Sequence, residues 1–190
     1  MKTVDMVFNE RTCYKFQSRD IEENLLKEIY NIMKLGPTSA NSSPLRILFL
    51  KSTFEKEKLY PCLLPANIDK VKSAPITAIF AYDIRFYDHL TVLFPHNLEI
   101  KSLFSSSEEI SIDTAIRNST LQAAYFIIVA RSLGLDCGPM SGFNPDAVNN
   151  TFFINSSYKV NFLCNLGYRE KDDKYPRLAK LEFNECCWIV

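Results

Sequence analysis

Two short polar segments, each bracketed by glycine, proline or both, contain the residues best suited to hold a ligand. The first runs from Gly36 to Pro44 after a predicted helix, and the second runs from Gly138 to Phe143 after a predicted strand. Glycine lets backbone approach a flat or phosphorylated ligand closely. Helix caps and turns that need a positive φ explain the chain's five glycines equally well. With that alternative open, the two segments could converge on one ligand.

Several common catalytic motifs are absent from the sequence. It contains no GxGxxG and no Walker A segment, which argues against a Rossmann dinucleotide site and against a P-loop. Its two histidines, His89 and His96, lie near no Cys or acidic cluster with ligand spacing, so no metal site is predicted. Ser141 has Pro139 two residues before it, where the nucleophile elbow of a serine hydrolase requires glycine. No protein nucleophile is therefore predicted.

Composition narrows the class of protein and the kind of partner. Lys plus Arg and Asp plus Glu both number 22, so no net charge favours nucleic acid or an anionic membrane. The 190 residues, 47% of them apolar, fit one folded domain over 1–190. The chain starts without a signal-peptide pattern, and its longest apolar stretch, Ala123 to Ala130, is too short to cross a bilayer. A cytoplasmic protein whose six cysteines are reduced and structural is expected.

Hydrophobic periodicity predicts the elements that must position the first segment. A helix over 21–33, with Ser18 and Asp20 as capping candidates, leads into it. The apolar runs 46–51 and 75–83 suit buried strands, and a charged helical stretch at 54–63 lies between them. A parallel or mixed sheet is expected from these runs.

The second half of the chain predicts the elements around the second segment. Residues 85–112 are read as a variable excursion over the site. The stretch 113–133 has helical periodicity and an apolar middle, which predicts the longest and most central helix, ending at Gly134. Strands are predicted at 135–137 and 158–166. Between them in the sequence, Asn144 and Pro145 begin a helix. The whole order predicts an α+β fold in which helices flank a central mixed β-sheet.

A series of motifs along nearly the whole chain resembles the nitroreductase family, most closely the short branch that contains malonic semialdehyde reductase. Their joint order and spacing make chance similarity improbable. The motifs are Arg11-Thr12 with Phe16, Gly36-Pro37-Thr38-Ser39-Ala40-Asn41, Ala74-Pro75 before the strand that ends with Tyr82-Asp83, Leu93-Phe94-Pro95-His96, Arg117-Asn118, Leu121-Gln122-Ala123-Ala124-Tyr125, Gly134-Leu135-Asp136-Cys137-Gly138-Pro139-Met140-Ser141-Gly142-Phe143, Asn161-Phe162-Leu163-Cys164-Asn165-Leu166-Gly167-Tyr168 and Pro176-Arg177-Leu178.

The resemblance implies a single FMN-binding domain that works as a homodimer. Arg11 and Arg177 would hold the FMN phosphate as guanidinium forks, and Thr12 would add a hydroxyl contact. Tyr14 stands where many relatives carry a basic residue, which leaves its part in FMN binding open. Asn67 and Lys70 would reach the pyrimidine edge of the flavin, where a positive charge favours the anionic reduced form; ordinary surface polarity explains this pair nearly as well.

The resemblance also gives the two polar segments separate places on the flavin. One group of residues would come to the isoalloxazine from the other subunit: Pro37, Thr38, Ser39 and Asn41. A second group would run along the flavin, with backbone N–H near its N5 atom: Pro139, Met140, Ser141 and Gly142.

The implied activity is hydride transfer from NADPH or NADH through flavin N5 to a small organic substrate, with no catalytic protein residue required. Reduction of a small aldehyde, such as malonic semialdehyde to 3-hydroxypropionate, is the first candidate. Reduction of nitroaromatics or quinones is the alternative, and a flavin-binding module without turnover is a third possibility outside the enzyme class. Nucleic acid and membrane are not expected as partners.

Overall fold

A four-stranded sheet forms the centre of the computed structural model, which describes residues 2–171 and 176–190. The strands are β1 (Leu45–Leu50), β2 (Ile76–Asp83), β3 (Asp136–Met140) and β4 (Tyr158–Gly167), in the order β1-β2-β4-β3. Every pairing within the described residues is antiparallel. The predicted α+β architecture is confirmed, but the expected mixed sheet is wrong. Strand β2 is buried along nearly its whole length; an apolar run of this kind is typical of parallel strands, but it reports burial on both faces, which this antiparallel strand also has.

Helices surround this sheet. They are α1 (Val4–Asn9), α2 (Glu23–Met33), α3 (Thr53–Leu59), α4 (Pro65–Ser73), α5 (Leu90–Leu93), α6 (Glu99–Ser105), α7 (Glu108–Ser132), α8 (Pro145–Phe152) and α9 (Phe183–Cys186). Short 3₁₀ turns lie at Ser39–Asn41, Tyr60–Cys62 and Phe86–His89. No helix of the described residues is long and apolar enough to cross a membrane.

Helix α7 is the central helix that the sequence predicts, and it packs across β1 and β2. Phe126 of α7 meets Phe80 of β2 edge to face, with ring centroids 5.3 Å apart. Ile29 and Met33 of α2 join the same buried cluster. The helix is followed by Gly134 at φ 95°, a conformation that glycine adopts without strain. Its buried face is less apolar than expected, since it includes Asn118 and Gln122.

Several predicted boundaries differ from the structure. Helix α2 begins at Glu23 with Glu22 as its N-cap, so neither Ser18 nor Asp20 caps it. Helix α4 is missing from the sequence prediction, because it buries only Asn67 and Val71 and so shows little apolar periodicity. The 85–112 excursion is largely helical, and α7 begins within it at Glu108.

All six cysteines are free thiols, as the sequence predicts. Cys13, Cys62, Cys137 and Cys164 are buried, whereas Cys186 and Cys187 are exposed. Burial raises the pKa of the Cys164 thiol well above its usual value, and the neighbouring Cys137 adds to this shift. The protonated thiol is a small apolar group that suits the core.

Candidate functional site

The second polar segment lies at one edge of the sheet, where β3 ends. The backbone of residues 11–16 runs beside β3, and Cys13 donates its N–H to the Cys137 carbonyl at 2.9 Å. A Cβ at Gly138 would overlap the Cys13 carbonyl oxygen. Gly138 is therefore needed for close approach of two backbone segments, and not for a positive φ. Pro139 and Ser141, the next residues that the sequence assigns to a ligand, are exposed.

Arg11 and Thr12 are held in place through their backbone. Arg169 donates from Nη2 to the Arg11 carbonyl at 2.6 Å and from Nη1 to the Thr12 carbonyl at 3.3 Å. The same guanidinium lies 3.3 Å from a carboxylate oxygen of Asp136, at the start of β3. Arg169 has no role in the sequence prediction, since no local pattern connects it to residues 158 positions away.

The two arginines assigned to a phosphate come to the same end of the molecule. Arg177 donates from Nη2 to the carbonyls of Phe8 and Asn9, both at 2.9 Å, just before Arg11 in the chain. The half-buried Arg11 side chain makes no hydrogen bond or ion pair with the part of the chain that the structure describes. One guanidinium is thus available to an anion, and a second is bonded to the end of α1 just before it.

Asn67 and Lys70 lie on α4 and face the second polar segment. Asn67 is only 7% exposed and donates from Nδ2 to the Gly142 carbonyl at 2.9 Å. Lys70 donates from Nζ to the Asn67 Oδ1 atom at 2.9 Å, and its ammonium lies 5.0 Å from the centre of the Tyr14 ring. A Cβ at Gly142 would overlap the Asn67 amide nitrogen. The alternative of ordinary surface polarity does not describe Asn67, which is buried and bonded on both sides.

The first polar segment is positioned by α7. Asn118 accepts the Ser39 N–H at Oδ1, 2.8 Å away, and the Tyr125 hydroxyl donates to the Pro37 carbonyl at 3.1 Å. Thr38 turns inward, where its hydroxyl accepts the Ser43 N–H at 3.2 Å. Asn41 has φ 50° and donates from Nδ2 to the Leu93 carbonyl at 2.9 Å. The segment is a tightly bonded turn whose Pro37, Ser39 and Asn41 side chains are exposed.

The structure does not bring the two polar segments together within one chain. The first precedes β1 at one edge of the sheet, and the second ends β3 at the opposite edge. In the observed register, Leu48, Ile79, Leu163 and Met140 lie in one row across the four strands. Three interstrand spacings and a three-residue offset place Leu45 roughly 18 Å from Met140. Within one subunit, the two segments therefore adjoin strand ends that lie far apart on the sheet.

One cavity lies apart from the cluster around Asn67 and Lys70. It has a volume of about 1340 Å³ and lies between α2 and β1. Pro37 and Asn41 belong to its lining, but Arg11, Lys70 and Met140 do not. The assigned residues at 11–14, 67–70 and 139–142, together with Arg177, lie outside this lining, and we call them the candidate flavin site.

The donor set fits FMN. Two guanidinium groups and the Thr12 hydroxyl at one end match a terminal phosphate, and the Asn67 and Lys70 side chains at the other end match the carbonyls and ring nitrogens of a pyrimidine. Pro139 and Ser141, at the end of β3 and just after it, are exposed beside these groups. No group described at this site matches an adenylate half.

The sequence is similar to a known family and to named relatives. The Nitroreductase family model matches residues 8–168. An NADH dehydrogenase/NAD(P)H nitroreductase of Polynucleobacter asymbioticus is 45% identical over 185 residues, covering 97% of this chain and 94% of its own length. The corresponding protein HadB of Ralstonia pickettii is 50% identical over 174 residues, covering 90% of this chain and 89% of its own.

Solved structures show the same fold. The nitroreductase YdfN of Bacillus subtilis superposes with a TM-score of 0.87 at 25% identity, covering 97% of each chain. A nitroreductase of Exiguobacterium sibiricum, determined in complex with FMN, gives a TM-score of 0.87 at 20% identity, over 100% of this chain and 98% of its own. The family model spans most of the chain, and both sequence relatives match nearly the whole chain. The protein therefore belongs to the nitroreductase family.

Proposed function

We propose that this protein is an FMN-dependent oxidoreductase that takes hydride from NADPH or NADH and reduces a small organic substrate. The observation that carries this proposal is the set of donor groups at the candidate flavin site: Arg11 with Arg177, and Asn67 with Lys70. Family membership and the nitroreductase names of the sequence relatives support the same reaction class.

The chemistry that FMN supplies when bound is two-electron transfer from the nicotinamide to the substrate. The protein's own residues bind and orient. Arg11 and Arg177 present charge-assisted donors to a phosphate. Lys70 holds a positive charge beside Asn67, where charge favours a reduced flavin. No side chain is required to act as a nucleophile.

We also propose a homodimer whose two sites each use residues of both subunits. The two polar segments lie at opposite sheet edges in one chain, and a second subunit would bring residues 37–41 to the candidate flavin site. Helix α7 supports this, because it leaves Ile116, Leu121 and Ile128 between 38% and 43% exposed beside its buried face. Apolar surface of this kind is typical of a subunit interface.

The proposed substrate is a small aldehyde, with malonic semialdehyde reduced to 3-hydroxypropionate as the specific case. This choice follows the motif resemblance to the malonic semialdehyde reductase branch. Nitroaromatics and quinones form the second candidate class, which the names of the Polynucleobacter and Ralstonia relatives favour.

The test begins with the cofactor. The purified protein is expected to be yellow, and the flavin released by heat should elute as FMN in chromatography. FAD in the released fraction, or no binding after reconstitution with FMN, would refute the cofactor proposal.

The substrate class is tested on the reduced protein. Under anaerobic conditions NADPH or NADH should bleach the flavin absorbance, and added malonic semialdehyde should restore it. Faster reoxidation by nitroaromatics than by aldehydes would favour the second class. A flavin that neither nicotinamide bleaches would rule out both.

A further inference from the structure

Lys70 is held from two directions by groups on separate parts of the chain. On one side, its Nζ donates to Asn67 Oδ1 at 2.9 Å. On the other, the same ammonium lies 5.0 Å from the centroid of the Tyr14 ring, within the range of a cation–π interaction. Tyr14 belongs to the segment beside β3, whereas Asn67 and Lys70 belong to α4.

Asn67 is a fixed acceptor for this ammonium. It is buried, it donates to the Gly142 carbonyl at 2.9 Å, and the Leu64 N–H donates to the same carbonyl at 3.0 Å. One hydrogen bond restrains the flexible four-carbon stem of a lysine in only one direction, however. A second contact is needed to fix the position of the charge.

The backbone on both sides of Tyr14 is fixed well enough to provide that contact. Cys13 is 1% exposed and donates its N–H to the Cys137 carbonyl. Phe16 is buried and pairs with Arg169 in an isolated bridge. The Tyr14 side chain is therefore attached to an ordered backbone. Its contact with Lys70 then costs little additional conformational entropy.

We propose that Tyr14 is a positioning residue, which holds the Lys70 ammonium against its ring face and thereby places that charge at the flavin. This inference rests on the proposed FMN function. The interaction is electrostatic and uses the ring rather than the hydroxyl, so a phenylalanine keeps it and an aliphatic side chain loses it. A basic side chain at this position would instead repel Lys70.

The first test compares Tyr14→Leu with Tyr14→Phe in titrations of apoprotein with FMN. Tyr14→Leu is expected to weaken FMN binding about two- to fivefold and to lower the two-electron reduction potential of bound FMN. Tyr14→Phe should restore both values to those of the unmodified protein. Unchanged affinity and potential in Tyr14→Leu would overturn the proposal. Tyr14→Gln serves as a second variant without a ring if Tyr14→Leu does not fold.

A double-mutant cycle with Lys70→Met tests whether Tyr14 acts through Lys70. In the Lys70→Met background, Tyr14→Leu should have no further effect on FMN affinity or potential. An equal loss in both backgrounds would mean that Tyr14 contacts the flavin directly or only stabilises the segment, and the positioning role would be wrong.

A measurement on the apoprotein separates this inference from the FMN proposal. The Tyr14 ring should shift the Lys70 ε-methylene protons upfield in NMR spectra, and Tyr14→Leu should abolish that shift. An unmodified protein that shows the ring shift but binds no FMN would refute the cofactor proposal while keeping the Tyr14–Lys70 contact. Absence of the ring shift in the folded apoprotein would refute the contact itself.

Discussion

At the scale of single residues, the candidate flavin site depends on side chains that form hydrogen bonds with distant parts of the chain. Asn67 connects α4 to the Gly142 carbonyl, and Arg169 connects β3 to the carbonyls of Arg11 and Thr12. When a buried or half-buried polar group loses its hydrogen-bond partner, the free energy of unfolding falls. Their arrangement leaves the Arg11 guanidinium, among the described residues, without a protein partner and therefore ready for an anion.

Arg177→Ala is expected to weaken FMN binding by roughly tenfold to over a hundredfold, because a charge-assisted contact of about 1.5–3 kcal/mol is lost. Titration of apoprotein with FMN measures this loss. Arg117→Ala is the matched control, since it removes an exposed arginine whose described ion partner is Asp113 on α7. If Arg177→Ala bound FMN as tightly as the control, the assignment of the C-terminal segment to the phosphate would be wrong.

At the scale of elements, α7 both packs in the core and holds a backbone segment in place. Its polar side chains at 118 and 122, one helical turn apart, hold the backbone that leads into β1. Asn118 accepts the Ser39 N–H, and Gln122 Oε1 accepts the Leu45 N–H at 2.9 Å. The longest helix therefore sets the shape of the first polar segment as well as packing on the sheet.

Gln122→Leu is expected to lower the free energy of unfolding by about 1–3 kcal/mol, since the Leu45 N–H would lose its side-chain acceptor beside a buried helix face. Urea denaturation, followed by circular dichroism, gives this value from the shift in midpoint at constant slope. Arg117→Ala, on the exposed face of the same helix, should change it by no more than about 0.5 kcal/mol. Equal midpoints for Gln122→Leu and the unmodified protein would show that this bond contributes nothing to stability.

At the scale of the whole molecule, the topology of the sheet decides how the two polar segments can meet. Because they lie at opposite edges, a ligand that contacts both would lie between two subunits in the proposed homodimer. The half-exposed apolar residues of α7, such as Leu121 at 43%, offer the surface for that association. The geometry of one chain and its resemblance to the family both support the proposed homodimer.

Two inactive variants should restore activity to each other when their subunits exchange. An Asn41→Ala subunit would damage the site to which it donates its turn, and an Arg177→Ala subunit would damage its own phosphate contact. In a mixed dimer both defects fall in one site and the other site is intact, so roughly a quarter of the sites recover in an equimolar mixture at full exchange.

The measurement is NAD(P)H-dependent turnover before and after exchange, with exchange itself followed by native mass spectrometry. Each variant incubated alone provides the control. A monomer that is fully active on sizing, or proven exchange without recovery, would contradict the shared site.

The sequence by itself determined the α+β class, the central position of α7, the helix that Asn144 and Pro145 begin, and the reduced state of the cysteines. These features follow from local periodicity, from caps and from composition, all of which can be read within a few turns of chain. The family could also be predicted, because its motifs retain their order along nearly the whole chain.

Only the tertiary structure decided the antiparallel direction of the strands, the existence of α4 and the contacts of Arg169, Asn67 and Tyr14. An apolar run reports that a strand is buried but not which way its neighbour runs. A short helix that buries one amide and one valine leaves little periodic signal. Hydrogen bonds that join residues 75 or 158 positions apart have no local signature, because they form only when the sheet brings those segments together.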